Sequence, residues 1–402
     1  MAIDTQGQST RAGRTISQPA GYRAFIPAPL PPVPSIGVEG ELLRLLSDAD
    51  RALARLDAIS TMLPNPDLFV AMYVRQEAVL SSQIEGTQST LEDVLAFEAK
   101  ATHNKAPKDV EEVVNYVRAM NHGLKRLPEF PLSLRLLREI HKELMHNVRG
   151  GERTPGEFRT SQNWIGSPGS TLMNAAFVPP PPHELMRCLG EFEIFIHEHK
   201  VDTPLLIQCG LAHAQFETIH PFLDGNGRVG RLLIALMLCE ANALSRPLLY
   251  LSHYLKANRA EYYDRLTAIR QRGDWEGWLR FFLRGIAEVS AQATTTARRI
   301  VALREAQRER FASNANALKL IDSLFEKPIV NVKQCSEILS VSYVTANSLV
   351  AKLAKSGLLE EMTSQGRNRV FRFQAYLALF NGESASGSTA PEEPEEPKEP
   401  KP

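Results

Sequence analysis

The sequence predicts a mainly α-helical protein: a helical body interrupted once by an irregular stretch with a small hairpin, then a smaller helix–turn–helix unit closed by a second hairpin. Three observations carry this. Apolar residues recur every three and four positions through most of the chain, which places them on one stripe of each helix. Residues 150–182, GGERTPGEFRTSQNWIGSPGSTLMNAAFVPPPP, break that rhythm with Gly and Pro and leave two short extended pieces around a long turn. Beyond about residue 313 the rhythm resumes in three short helices ahead of QGRNRVFRF.

Taken in order, residues 1–36 are rich in Pro, Gly and Ser and read as a flexible, extended arm rather than a folded element. Residues 37–105 form an N-terminal helical region that includes ELLRLLSDADRALARLDAIS and VLSSQIEGTQ. Residues 106–312 form the helical core, with VEEVVNYVRAMNHGLKRL, LRLLREIHKELM and LMRCLGEFEIFIHEH as helices. In residues 313–380, VKQCSEILSVSYVTANSLVAKLAKSGLL has helix–turn–helix rhythm, and the following hairpin would be its wing. That winged helix-turn-helix domain carries eight Lys/Arg against five Asp/Glu, a mild basic excess that fits DNA contact and protein docking equally. Residues 381–402 have almost no apolar content and are predicted to be disordered.

Composition narrows the function. The 402 residues are 43% hydrophobic and 23% charged, enough for two or three domains with sizeable cores. Lys+Arg and Asp+Glu both number 46, so no overall field draws the chain to nucleic acid or a membrane, and any such preference is local. Cys188, Cys209, Cys239 and Cys335 lie far apart with no CxxC spacing, which fits free thiols in a reducing compartment. The longest strongly apolar run, LLIALMLC from Leu232, is too short to span a bilayer. A cytoplasmic protein without membrane contact is expected.

Residues 220–231, HPFLDGNGRVGR, stand between two apolar helical stretches, LLIQCGLAHAQFETI and VGRLLIALMLCEANAL. Pro221 and Gly225 enforce a loop there. A Gly-Asn-Gly turn at a helix start presents backbone N–H groups beside the positive end of the helix dipole, an anion site. Arg228 and Arg231, three apart, share one face and can grip phosphate oxygens. Asp224 can hold Mg²⁺ against the same phosphates, and a neutral His220 can take a proton from a hydroxyl. Each feature alone also fits turn chemistry, a helix cap or a core histidine; together they fit a nucleotide site.

The loop is similar to the signature of the Fic family, a His-x-Phe-x-acid-Gly-Asn-Gly-Arg-x-x-Arg loop between two helices, and every specified position matches. SHYLKANRAEYYDRL and DWEGWLRFFL resemble the stretches that follow it, so the likeness covers roughly residues 66–290. The resemblance implies a Fic-type helical bundle and transfer of AMP from ATP to a Ser, Thr or Tyr hydroxyl of a protein, itself included. It further implies that His220 is the base, Asp224 holds Mg²⁺, and Gly225, Asn226, Gly227, Arg228, Val229, Gly230 and Arg231 surround the triphosphate. Phe222 would be a buried anchor, and Tyr263 and Trp275 would line the adenine and ribose pocket. Ile165, Gly166 and Ser167 resemble the family's flap, whose hairpin edge pairs with an extended target segment. Ser81, Glu85 and Gly86 resemble the family's inhibitory motif, [Ser/Thr]-x-x-x-Glu-[Gly/Asn], and imply that Glu85 pairs with Arg231 and blocks the nucleotide. The expected function is therefore an autoinhibited protein adenylyltransferase with an unidentified target protein, and family habit implies a homodimer. The alternatives are a DNA-binding regulator with a nucleotide-sensing domain, and removal of AMP as the physiological reaction.

Overall fold

The computed structural model describes residues 11–61, 66–99, 109–148, 154–167, 169–198, 203–363 and 369–381. The chain divides into two compact units, Met1–Arg298 and Arg299–Pro402. The first begins with an antiparallel ribbon, β1 (Gly13–Ser17) and β2 (Arg23–Pro27), with Gly13 opposite Pro27 and Ser17 opposite Arg23. The expectation of a flexible arm is thus corrected for residues 11–36. Ala24, Phe25 and Ile26 are buried, Phe25 N donates to Val178 O at 2.9 Å, and Arg11 pairs with Glu276 at 2.7 Å. The apolar triplet is too short to register in a composition rich in Pro and Gly, and its partners lie far along the chain. Residues 1–10 and the predicted tail from 382 fall outside the described residues.

The helices follow the predicted rhythm: α1 (Gly40–Thr61), α2 (Pro66–Ile84), α3 (Leu91–Glu98), α4 (Val110–Arg126), α5 (Leu134–Leu144), α6 (Pro182–Glu198), α7 (Leu205–Ile219), α8 (Asn226–Glu240), α9 (Ser252–Ala257), α10 (Arg259–Arg272) and α11 (Trp275–Arg310). Local chemistry sets several ends. Thr90 and Asp93 form a capping box at α3, Ser133 caps α5, and Gly273, at φ 66°, closes α10. α7 is buried on every side from Leu206 to Ile219, and α8 from Val229 to Leu238. A helix buried all round sits at the centre of its domain, so the α7–α8 loop rises from the middle of the first unit. The irregular segment between α5 and α6 holds one antiparallel bridge, Ile165 to Phe177, where the small hairpin was expected.

The second unit contains α12 (Ala315–Leu324), β3 (Ile329–Asn331), α13 (Val332–Leu339), α14 (Tyr343–Lys355), β4 (Glu360–Glu361), β5 (Val370–Arg372) and α15 (Gln374–Asn381). Its strands form an antiparallel sheet in the order β3-β5-β4; the three helices and the hairpin that the sequence predicts are present, and β3 and α15, which it did not predict, are added to them. The division at Arg298 falls inside α11, ahead of the expected boundary at 312. Arg304 and Arg308, in the last turns of α11, both bind Asp322 of α12 and so belong with the second unit.

Candidate active site

His220 ends α7 in a left-handed backbone conformation, φ 51° and ψ 60°, which costs a residue with a Cβ roughly 1–2 kcal/mol. The surroundings hold it there. Its carbonyl accepts from Arg159 Nε at 2.9 Å and Asn163 Nδ2 at 3.2 Å, and Arg159 also reaches Pro180 O at 2.6 Å and Ile219 O at 3.4 Å. Burial pushes the His220 imidazole down to about 4, helped by the nearby Arg270 and Arg159 cations. It is therefore neutral near pH 7, as a proton acceptor must be.

The loop after His220 is fixed from inside. Phe222 is fully buried, stacked on His141 with centroids 3.8 Å apart and leaning on Phe158 at 5.3 Å. His141 Nδ1 accepts from Gly156 N at 2.8 Å, which leaves its Nε2 to donate to Asp224 O at 3.1 Å. Asn226 Oδ1 accepts from Phe222 N, and Asn226 Nδ2 donates to Phe222 O, both at 2.8 Å. Gly225, at φ 75°, then starts α8, and the first N–H groups of that helix face a cavity of ≈150 Å³. Its walls include Glu85, His220, Asp224, Gly227 and Arg228.

A carboxylate stands in that cradle. Glu85 follows the last turn of α2 and accepts from Arg231 Nη2 through Oε1 at 2.6 Å. The Arg231 side chain is 2% exposed and that of Glu85 39%. Arg231 Nε also donates to Ser81 Oγ at 2.8 Å, and Nη2 to Ser81 O at 3.1 Å. A side chain at Gly227 would collide with the Glu85 carboxylate and crowd Arg231, so the glycine leaves room for an anion against the helix start. Burial raises the Glu85 carboxyl, and Arg231 with Arg228 overcomes this and holds it below its ordinary value. Glu85 is an anion held by Arg231 beside the start of α8.

Residues 43–125 match the Fic/DOC family N-terminal region, and residues 131–238 match the Fic/DOC family domain. The chain carries a Fic/DOC family domain. It is 29% identical over 205 residues to the protein adenylyltransferase Fic of Drosophila virilis, and 30% identical over 205 residues to that of Aedes aegypti. Each likeness covers 50% of this chain and 36% of the relative, so the chain spans little more than a third of the curated relatives' length. A Fic family protein from Desulfovibrio desulfuricans G20 has the same fold, with a TM-score of 0.56 at 18% identity over 84% of this chain and 97% of that one. A Fic domain containing signaling protein from Bacteroides thetaiotaomicron gives 0.50 at 18% over 62% and 95%.

Within this Fic domain, His220, Asp224, Gly225, Asn226, Gly227 and Arg228 all line one cavity, and Ser81 and Glu85 converge on Arg231. Gly86, at φ 103°, turns the chain away just after Glu85. Ile165 pairs with Phe177 in an isolated antiparallel bridge, and Gly166 and Ser167 follow it. Val229 and Gly230 do not join the cradle. Val229 N already donates to Gly225 O, and Gly230 packs against Phe216 and Glu217 of α7, because α8 turns these two positions inward. Tyr263 lies outside the cavity wall, 41% exposed, with Arg259 over its ring at 5.7 Å. Trp275 is 2% exposed and buried in the core; its helical spacing marked packing, not a pocket. Arg228 is shared between Glu112 at 3.1 Å and Met145 Sδ at 3.6 Å.

Sequence reasoning missed Arg159, Asn163 and His141. None belongs to the Fic loop, yet all three hold it through backbone atoms, which leave no complementary charge or motif in the sequence. The same segment also holds Arg153, Gln162 and Asn174, so nothing in the sequence singled out Arg159 and Asn163. Among the described residues, no helix is long and apolar enough to cross a membrane, and the four cysteines are free thiols.

Proposed function

We propose that this chain is a protein adenylyltransferase that moves AMP from ATP to a Ser, Thr or Tyr hydroxyl of a target protein, or of itself, and that Glu85 inhibits it. The single observation carrying this reading is the Glu85 carboxylate seated at the start of α8 and bonded to Arg231. A site that holds an anion so tightly with its own chain is built for one from outside. When Glu85 leaves, Arg231, Arg228 and the N–H groups at the head of α8 would receive the triphosphate. Neutral His220 takes the hydroxyl proton, the hydroxyl oxygen bonds to the α-phosphorus, and the bond to the β-phosphate bridge breaks to release pyrophosphate. Such transfer rests mostly on positioning and charge neutralisation.

The donor set near Asp224 suits Mg²⁺. Among the described residues no group of three or more His, Cys, Asp or Glu could hold a metal by itself, and Mg²⁺ characteristically takes one or two carboxylates and completes its shell with water and substrate phosphates. Asp224 would hold it, and the ion would supply neutralisation of phosphate charge. Tyr263, part-exposed outside the cavity wall, would face the adenine, whereas Trp275 would support the site from the core.

The test is incubation of wild type, Glu85→Gly, and Glu85→Gly with His220→Ala with α-labelled and, separately, γ-labelled ATP. Label should stay on protein only from the α position. It should rise at least about tenfold in Glu85→Gly, because freeing one side of a buried Arg–carboxylate pair releases the other charge. It should fall by about 10²- to 10⁴-fold when the base is also removed. Retention of γ-label would mean kinase-type transfer. Retention of neither by Glu85→Gly would replace this reading with a nucleotide-sensing regulator that contacts DNA.

A further inference from the structure

α7 ends on carbonyls that the helix itself cannot serve. In a continued helix Glu217 O would accept from the N–H of residue 221, and Pro221 has none. Arg270 of α10 supplies the donor from 53 positions away: its Nη2 donates to Glu217 O at 3.2 Å, and its Nε to Thr218 Oγ1 at 3.2 Å. Arg159 takes Ile219 O and His220 O, so two guanidiniums close the negative end of the helix that carries His220. The Arg270 guanidinium also lies over the Phe177 ring, 3.9 Å from its centroid, in cation–π contact. Phe177 makes the bridge of the segment between α5 and α6: its N donates to Ile165 O at 3.0 Å, and its O accepts from Ile165 N at 2.8 Å. Phe25 leans on the same ring at 5.9 Å, but Leu172, Ala175 and Ala176 just ahead of it border a cavity of ≈390 Å³ in place of a packed core. Both legs of the segment are therefore fastened to the end of α7. The incoming leg is held by Arg159 and Asn163 on the His220 carbonyl, and the outgoing leg by Phe177 beneath Arg270.

We propose that Arg270 is a positioning residue that fixes the outgoing leg of this segment to the His220 end of α7 by joining Phe177 to Glu217. This rests on the adenylyltransferase reading, in which the segment is the flap that presents a target hydroxyl to His220. A target laid along the bridge takes its register from it. The gap between hydroxyl and imidazole is then set by how firmly the bridge is held to the helix bearing the base, and a loose bridge leaves the hydroxyl out of reach. Nucleotide binding does not pass through this link, because other residues wall the cavity at the head of α8.

The experiment compares full-length Glu85→Gly protein with the same protein carrying Arg270→Met, Phe177→Leu, or both. Met keeps the length of the arginine stem without its charge or N–H groups, and Leu at 177 removes the ring while leaving Arg270 on Glu217 O. Three quantities are measured: self-transfer of label from α-labelled ATP, affinity by calorimetry for an α,β-methylene analogue of ATP, and acrylamide quenching of tryptophan fluorescence without nucleotide. Of the three tryptophans, Trp275 and Trp278 are buried and Trp164, next to Ile165, is 41% exposed, so quenching reports on the bridge. Each single variant should be quenched about twofold more readily, as a locally opened segment is. Each should transfer about 10- to 100-fold more slowly, as misplacement by about 1 Å dictates, with nucleotide affinity within about twofold of the parent. The double variant should match the worse single one, since both changes cut the same link. Unchanged quenching in Arg270→Met overturns the proposal, as does parent-level transfer in Phe177→Leu. Losses that multiply in the double variant overturn it too, because the two side chains then act apart. So does a fall in nucleotide affinity that matches the fall in transfer, because the end of α7 is then merely loosened. A Glu85→Gly parent that transfers nothing is a failure of the adenylyltransferase reading alone, and quenching then decides whether Arg270 holds the segment.

Discussion

Asn226 stands in the middle of the anion cradle, yet its amide is spent on the loop itself, accepting from Phe222 N and donating to Phe222 O. Its chemistry is conformational, and an isosteric change tests this. Asn226→Asp keeps the shape but sets a carboxylate oxygen against the Phe222 carbonyl and adds negative charge where the proposed function places phosphate. Phe222 O keeps its bond from Asn163 Nδ2 at 2.8 Å, but setting two buried acceptors against each other costs about 1–3 kcal/mol. Transfer in the Glu85→Gly background should fall about 10²-fold and ATP affinity at least about tenfold, by analogy with other lost charge-positioning contacts. Transfer at the parent rate would show that the amide does not order the loop. His220, Asp224 and the two arginines were legible because their chemistry is contiguous in the chain. Arg159, Asn163 and His141 were not, because they act on carbonyls and N–H groups that every residue possesses.

At the scale of elements, the site depends on how closely α7 and α8 approach. Gly230 sets that distance: a side chain there would run into Glu217 Oε1 and the Phe216 ring. Gly230→Val should therefore destabilise by about 3 kcal/mol, as overpacking of a well-filled interface does, and lower Tm by several degrees. Gly190 of α6 is the control, since a side chain there meets nothing within 4 Å, and Gly190→Val should stay within about 0.5 kcal/mol of the parent, as surface changes do. Paired thermal melts decide it, and equal Tm values for the two variants would mean that the helices do not pack through Gly230. Helix periodicity predicted both elements, but the inward turn of Val229 and Gly230 appears only when α8 has a partner to lie against. The β1–β2 ribbon makes the same point, because its strand residues are ordinary and distant segments place it: Val178 and Phe177 meet Phe25, and Glu276 and Gln215 hold the flanking Arg11 and Ala28.

The whole molecule should respond to pH through buried groups of opposite habit. Burial holds His141, His213 and His220 down at about 4, so they stay neutral in the fold while the unfolded chain protonates them near 6.5. Their contribution is complete above pH 6.5 and is lost as pH falls towards 4. Burial raises Glu77 and Glu217 to about 7, so their contribution is complete below about 4.5 and is lost as pH rises through 7. Between pH 4.5 and 6.5 the three histidines outweigh the two acids by about one proton, so stability should fall on acidification by about 1.4 kcal/mol per pH unit. Glu77→Gln removes one opposing acid and should steepen the fall to about two protons. Urea midpoints at three pH values between 5 and 6.5 check this, and a flat or inverted profile would mean that these histidines are not neutral in the fold. Because His220 is already neutral at pH 6, transfer should show no histidine-type step near 6.5.

By itself the sequence determined what short-range chemistry decides: where helices run, since an apolar period of three and four needs no partner to be read, and what the 220–231 loop can do, since base, acid, anion cradle and arginines lie within twelve positions. The resemblance of Ser81 and Glu85 to an inhibitory motif pointed to Arg231, but the tertiary structure brought them together across 146 and 150 positions. It alone decided that residues 11–36 fold and that Trp275 is core. The reason is physical: dihedral preference and periodicity are local properties of the chain, whereas burial and the choice of hydrogen-bond partner exist only once distant segments have packed.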